Sequence, residues 1–397
     1  LKVLWLTREN PLFADRGDLM YSGGLIRSLA AAGAAVTVLS FNHEGSQPPA
    51  VDRVRSLSAR PPRLPRAFSI LTDLPADAFR HKSGDYQSLM EQELRTGAYD
   101  AVVIDYFAMG WVVKAIERVR RKLTIKPVVV YTSHHFEQVV RPFVAKSYNG
   151  GGLAKLVLPY DAAKGAALEA TIVSVADVIT TITESDRADF LRFSPGKSVY
   201  TLTPGYSGPV DAGRWIDDER PHRVLLVGAF DWIAKRQNLR EFVLAAKDRF
   251  GRNGIELQIV GRADEGFKSE IESIYPGCKF IGRVESVYSY IHQARIGLMP
   301  DVIGGGFKLK FLDYIFNGLP IATIRSQARG LPLDLDSDLI ADDDLEQLVD
   351  RIVSTIGDVS ILNGMRERAF AACEDKFDWR DRGLSLFAAI KQHQRSA

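Results

Sequence analysis

TPGYSGPVDAGRWIDDERPH, residues 203–222, divides the chain in two. Proline, glycine and charge crowd this stretch, a composition that suits a linker better than a helix or a strand. On each side of it, apolar runs of strand length alternate with helical stretches. Downstream, residues 224–227 (VLLV), 257–260 (LQIV), 279–281, 296–299 and 320–323 read as strands. Residues 239–250, 287–293 and 309–316 read as the helices between them, and Asp343 with Glu346 can open a further helix at Leu345 as a capping box. Upstream, residues 2–6, 36–41, 100–105 (DAVVID), 127–131 and 178–182 (VITTI) read as strands. Helices are expected at 19–32, with Gly33 beyond the end, and at 112–121, 162–176 and 185–193, the last capped by Ser185. Strand–helix–strand order throughout is the signature of parallel sheets. Two such runs about one linker predict two doubly wound α/β domains.

The chain has 397 residues, 46% hydrophobic and 25% charged, which is the profile of a globular protein large enough for two cores. A net charge of +2 gives no reason to expect nucleic acid as a partner. Two cysteines, Cys278 and Cys373, form neither a disulfide framework nor a metal cluster, so a reducing, cytoplasmic setting is the default expectation. No apolar run approaches the roughly 18 residues that span a bilayer, and LKVLWLTREN at the start reads as a core strand and not as a signal peptide. The stretch VDRVRSLSARPPRLPR, residues 51–66, carries five arginines, three prolines and one acid, and is expected to be irregular and exposed. Its basic residues would each contribute about 1 kcal/mol on an anionic membrane surface. A solvated loop fits the same composition.

Open α/β sheets bind ligands beyond the carboxyl ends of their strands, so candidate site residues are sought there. GGGFKLKFLDYIFNGLP, residues 304–320, follows the strand ending near Met299. Gly304, Gly305 and Gly306 permit close approach of backbone N–H groups to an anion, with Phe307 and Leu309 alongside. Lys308 and Lys310 can neutralise a diphosphate, and Asp313, three residues after Lys310, can accept from ribose hydroxyls. A glycine loop before a surface helix with a Lys–Asp pair explains the same spacing. YTSHHFE, residues 131–137, puts His134, His135 and Glu137 just after a strand, where a histidine can polarise a hydroxyl, orient a sugar or simply bond to backbone. No cysteine or acidic cluster at suitable spacing supports a metal site. The acidic tract LDLDSDLIADDD, residues 333–344, lacks the glycine and terminal glutamate of an EF-hand loop and reads as solvated loop.

The run at 304–320 resembles the G-S-G-T-R-L-K-x-L-E-A-M-A-x-G-x-P-V signature of retaining GT-B glycosyltransferases, specifically glycosyltransferase family 4. Gly304, Gly306, Leu309, Lys310, Leu312, Gly318 and Pro320 match; Asp313 replaces the family's ribose-holding glutamate, and Gly305 stands where the first acid of its E-x7-E pattern falls. VGAFDWIAKRQNL, residues 227–239, is similar to the opening of the family's second domain, with Lys235 at the diphosphate-binding lysine and Ala229 in place of a common arginine. Phe230 and Trp232 are expected to pack. His134 and Glu137 fall on the family's H-N-x-E, with His135 for the asparagine, and the resemblance implies that His134 reaches the donor sugar. Residues 11–41 resemble the family's P-x-x-x-D-x-G-G opening. There Gly17 is the close-approach position near donor phosphate and acceptor, Asp18 fits an N-cap, and Gly23 and Gly24 serve close packing. Glu169 and Glu184 lie in a further similar segment, residues 168–191.

The resemblance implies a GT-B fold of two Rossmann-like domains facing a central cleft. The acceptor would bind residues 1–205 and the donor residues 206–375, while a closing helix in residues 376–397 packs back on the first domain. Its activity would be transfer of a sugar, with retention, from a nucleotide-diphosphate sugar, UDP- or GDP-linked, to a glycan, lipid-linked or small-molecule acceptor, without metal or other cofactor. An epimerase or hydrolase on the same fold, and a non-catalytic sugar-nucleotide-binding scaffold, are the alternatives.

Overall fold

The computed structural model describes residues 1–394 apart from 14–15, 42–47, 63–64, 147–151, 153, 232 and 303–306. The chain forms two compact units, Leu1–Gly205 with Asp378–Ala397, and Tyr206–Phe377.

The first unit runs β1 (Lys2–Leu6), α1 (Gly17–Ala31), β2 (Ala35–Phe41), β3 (Val54–Ala59), α2 (Ala76–Arg80), α3 (Gly84–Thr96), β4 (Ala101–Asp105), α4 (Val113–Arg120), β5 (Val128–Thr132), α5 (Glu137–Lys146), α6 (Ala154–Val175), β6 (Val178–Thr181), α7 (Glu184–Phe193) and β7 (Ser198–Thr201). Its strands form one parallel sheet in the order β3-β2-β1-β4-β5-β6-β7. Leu4, Leu6, Val102, Ile104, Val129 and Ile179 are closed to solvent in its core, as continuous apolar strands with helices on both faces require.

The second unit runs β8 (Arg223–Val227), α8 (Ile233–Arg252), β9 (Glu256–Val260), α9 (Glu265–Ile274), β10 (Cys278–Gly282), α10 (Tyr288–Ile291), β11 (Ile296–Met299), α11 (Lys310–Phe316), β12 (Ile321–Ile324), β13 (Ile340–Asp342), α12 (Leu345–Thr355) and α13 (Val359–Cys373). Its parallel sheet has the order β10-β9-β8-β11-β12-β13. Val224 and Leu226 face one apolar cluster while Leu225 faces another, so the sheet is buried on both sides. The fold is thus α/β with two doubly wound sheets. In each, the strand order reverses at one point, between β1 and β4 and between β8 and β11, and crevices form at such points.

The last helix, α14 (Trp379–Gln394), belongs to the first unit and packs along α1. A Cβ at Gly24 would stand 2.2 Å from the Trp379 ring, and one at Gly23 2.4 Å from the Pro11 carbonyl oxygen, so both glycines do serve close packing. Gly33, with φ of 99°, leads the chain out of α1 in a conformation other residues resist.

Five local expectations are corrected. Residues 51–66 are not simply irregular: β3 pairs with β2 at the sheet edge, and Arg55 binds Glu93 at 2.5 Å and Tyr99 at 3.2 Å, so its charge is used within the fold. Asp18 is not the N-cap of α1; Arg16 is, without a side-chain cap, and Asp18 lies in the first turn. Thr183, not Ser185, caps α7 by accepting from Asp186 N. Asp344, not Asp343, caps α12 through Gln347 N, and the acidic tract before it is not all loop, because it contains β13. No helix among the described residues is long and apolar enough to cross a membrane.

Candidate active site

At the reversal point of the second sheet, β8 and β11 end side by side. Val227, Gly228, Lys235, Pro300 and Asp301 line a pocket there. Gly261, at the end of β9, has φ of 141°, and a Cβ on it would overlap the Gly228 carbonyl; only glycine lets these two strand ends approach so closely.

Lys235 lies in the first turn of α8. Burial lowers its pKa, the Asp301 carboxylate opposes that, and the Lys308 ammonium adds to it. Lys308 Nζ stands 3.4 Å from Asp301 Oδ2, while Asn238 Nδ2 donates to Asp301 Oδ1 at 3.2 Å. Lys310 turns inward and donates to the Val227 carbonyl at 2.5 Å. Its pKa falls to about 7, chiefly through burial and then through the neighbouring Lys235. Three lysines and one carboxylate therefore share this corner, and a second anion would relieve the repulsion among the cations.

Asp313, in the first turn of α11, is pushed up to about 6 by burial, against the pull of Lys310. Phe307 packs on Phe377 with centroids 5.8 Å apart, and Leu309 precedes the first residue of α11. Phe230 is buried against Phe267 and Phe280. Gly304, Gly305, Gly306 and Trp232 lie outside the described residues. Asp301 and Asn238 were not singled out from the sequence. The position just after β11 was the available signal for Asp301.

The reversal point of the first sheet holds the other group. His134 Nε2 lies 2.8 Å from Asp105 Oδ1 and 3.4 Å from Ser22 Oγ, and Trp5 Nε1 donates to Asp105 Oδ2 at 2.9 Å. The imidazole meets the rings of Tyr21 and Tyr106 edge-on, both 5.5 Å away. His134 is thereby anchored and only 6% exposed. Gly17 starts α1, and Asp18 pairs with Arg8 and with Arg16, the latter at 3.4 Å. Arg8 in turn lies over the Tyr106 ring at 4.2 Å.

Glu137 is tied into a deeper network. Arg141 reaches Glu137 at 2.8 Å, Asp77 at 2.9 Å and Asp161 at 3.3 Å. Burial raises Glu137 to about 7 and Glu169 to about 8, Glu137 contributing to the second shift. Glu169 accepts from Tyr131 Oη at 3.0 Å and Gln138 N at 3.2 Å, whereas Glu184 is exposed beside Arg187 at 3.5 Å. Glu169 thus ties α6 to β5 and to α5, and Arg141 joins α5 to α6 through Asp161.

Residues 20–205 match the glycosyl transferase 4-like domain, and residues 221–358 match glycosyl transferases group 1. Among solved structures, the chain is similar to sucrose-phosphate synthase from Thermosynechococcus elongatus, with 18% identity, a TM-score of 0.72 and 100% of each chain covered. It is similar to HepE from Anabaena in complex with UDP and glucose, with 12% identity and a TM-score of 0.64 over 99% of this chain and 100% of that one. WaaG, a glycosyltransferase involved in lipopolysaccharide biosynthesis, shows 15% identity and a TM-score of 0.65 over 99% of both chains. No curated protein matches the chain. At these identities the structural likeness speaks for the fold, and the matched domains speak for the family. Two glycosyltransferase domains in tandem, each on its own doubly wound parallel sheet, make this chain a GT-B glycosyltransferase.

Proposed function

We propose that the chain transfers a sugar from a nucleotide-diphosphate sugar, UDP- or GDP-linked, to a glycan, lipid-linked or small-molecule acceptor, with retention at the anomeric carbon. The setting would be polysaccharide or glycoconjugate assembly. The observation that carries this reading is the convergence of Lys235, Lys308 and Lys310 with Asp301 at the ends of β8 and β11. A diphosphate leaving group develops negative charge as the glycosidic bond to it breaks, and fixed ammonium groups stabilise that charge without reorganisation. The HepE complexes, with UDP and with UDP-glucose, support a sugar nucleotide as donor.

In this reading the second unit binds the donor and Asp313 accepts from the ribose. The first unit takes the acceptor near Gly17, Asp18 and Glu137, and His134, anchored by Asp105, orients the sugar. The protein would work on the inner face of a membrane if its acceptor is lipid-linked.

One observation favours a non-catalytic binding scaffold instead: His134 is almost closed to solvent and spends Nε2 on Asp105. Incubating purified protein with UDP- and GDP-sugars, with and without oligosaccharide or lipid-linked acceptors, separates the readings. Acceptor-dependent product whose anomeric proton coupling matches the donor supports the proposal. Donor consumed without acceptor indicates a hydrolase or epimerase, and binding without turnover indicates the scaffold.

A further inference from the structure

Lys235 and Asn238, three residues apart, share one face of α8. Lys235 lines the same pocket as Asp301, and Asn238 is hydrogen-bonded to it. Asn238 is only 1% exposed and spends both ends of its amide on one short segment after β11. Its Nδ2 donates to Asp301 Oδ1 at 3.2 Å, and its Oδ1 accepts from Val302 N at 3.3 Å. The two bonds fix the direction of the amide and clamp the Asp301 carboxylate to α8. The other oxygen, Asp301 Oδ2, lies 3.4 Å from Lys308 Nζ, with the two side chains only 11% and 15% exposed.

A carboxylate fixed beside a diphosphate site works against binding, because it repels the ligand. A neutral side chain there would hold the ligand harder. Asp301 is nonetheless clamped in place, and its free oxygen faces one of the lysines that would hold the phosphates. The carboxylate and a diphosphate are therefore alternative partners for the same ammonium.

We propose that Asp301, clamped by Asn238, is a positioning residue that competes with the nucleoside diphosphate for Lys308. It presets the ammonium beside the strand ends, yields it as the diphosphate enters and takes it back as the spent nucleotide leaves. Binding is weaker for it, and release after sugar transfer is faster. The inference rests on the donor site proposed above and adds to it what limits the grip on the product.

Calorimetric titration of UDP and GDP into the full chain tests this as a double-mutant cycle of wild type, Asp301→Asn, Lys308→Gln and the double variant. Asparagine keeps the bulk and an oxygen for Asn238 and loses the charge. Asp301→Asn is expected to bind the nucleoside diphosphate about tenfold more tightly, and release, followed by displacement of a fluorescent nucleotide, should slow by a similar factor. On the Lys308→Gln background the same change should gain about threefold or less, since direct repulsion remains but the competition is gone. An equal gain on both backgrounds is plain charge repulsion and overturns the inference. Weaker binding by Asp301→Asn also overturns it and assigns Asp301 to the shape of the site. Asp301→Ser, taken through the same cycle with thermal melts alongside, decides the matter if asparagine unfolds the chain. Each of these results spares the donor site, whereas wild type that binds neither UDP nor GDP overturns both.

Discussion

Lys310 donates its ammonium to the carbonyl oxygen of Val227, tying the first turn of α11 to the carboxyl end of β8. Burial, and then Lys235, bring its pKa from 10.5 down to about 7. A bound diphosphate supplies counter-charge and raises that pKa again. Nucleoside diphosphate binding should therefore take up a proton above about pH 7 and weaken as the pH rises further. Calorimetry in two buffers of different ionisation enthalpy measures the uptake. Identical enthalpies in both buffers, in that pH range, contradict it.

Removing the Lys310 ammonium has a second consequence. Lys310→Ala should weaken nucleotide binding by about 1–3 kcal/mol, the scale of a charged hydrogen bond. The free protein should hold its stability or gain, since a crowded, partly buried cation is gone. Thermal melts with and without nucleotide read both effects; a large loss of stability with unchanged affinity would assign Lys310 to the fold alone.

Glu169 predicts a pH dependence of stability. Its pKa is raised from 4.5 to about 8, so the folded chain binds more protons than the unfolded chain between those values. Stability falls with pH wherever the folded state binds more protons. Its contribution is therefore full below the unfolded value and is lost as pH rises through about 8. Urea melts across this range should show a declining stability that Glu169→Gln flattens. An equal slope in the variant rules the assignment out.

Asp105 joins Trp5 and His134 in a buried chain. Asp105→Asn keeps the shape but turns one acceptor into a donor, which should cost about 1–3 kcal/mol. Denaturant unfolding checks this, and catalytic turnover should fall further than stability explains if His134 orients the sugar.

Gly24→Ala places a methyl against the Trp379 ring. Overpacking of this kind costs about 1–3 kcal/mol, and the loss should appear as a lower melting temperature and earlier proteolysis of α14. Unchanged melting would mean that α14 shifts freely on α1.

Most of the sheet architecture was legible because strands such as VVVYT and LQIV are buried on both faces and read as unbroken apolar runs. The strand β3 was not legible, since VRSLSA lies at a sheet edge and its one arginine, Arg55, finds a partner on α3 that sequence spacing does not reveal. The helix α5 was hidden by Pro142. Lysines 235, 308 and 310 could be singled out by their place after strands and by resemblance. Asp301 could not, because its meaning comes from Lys308 and Asn238 closing on it in space. Cap positions slipped by one or two residues at α7 and α12, where neighbouring Thr, Ser and Asp compete for one role.

The central claim is the donor site at the ends of β8 and β11, and calorimetric titration of UDP, GDP, dTDP and ADP into the purified chain tests it most directly. The account predicts that one of them binds in the micromolar range, near −8 kcal/mol, and that Lys310→Ala and Lys235→Ala each lose much of that affinity. Binding of none, or binding indifferent to both lysines, would contradict it.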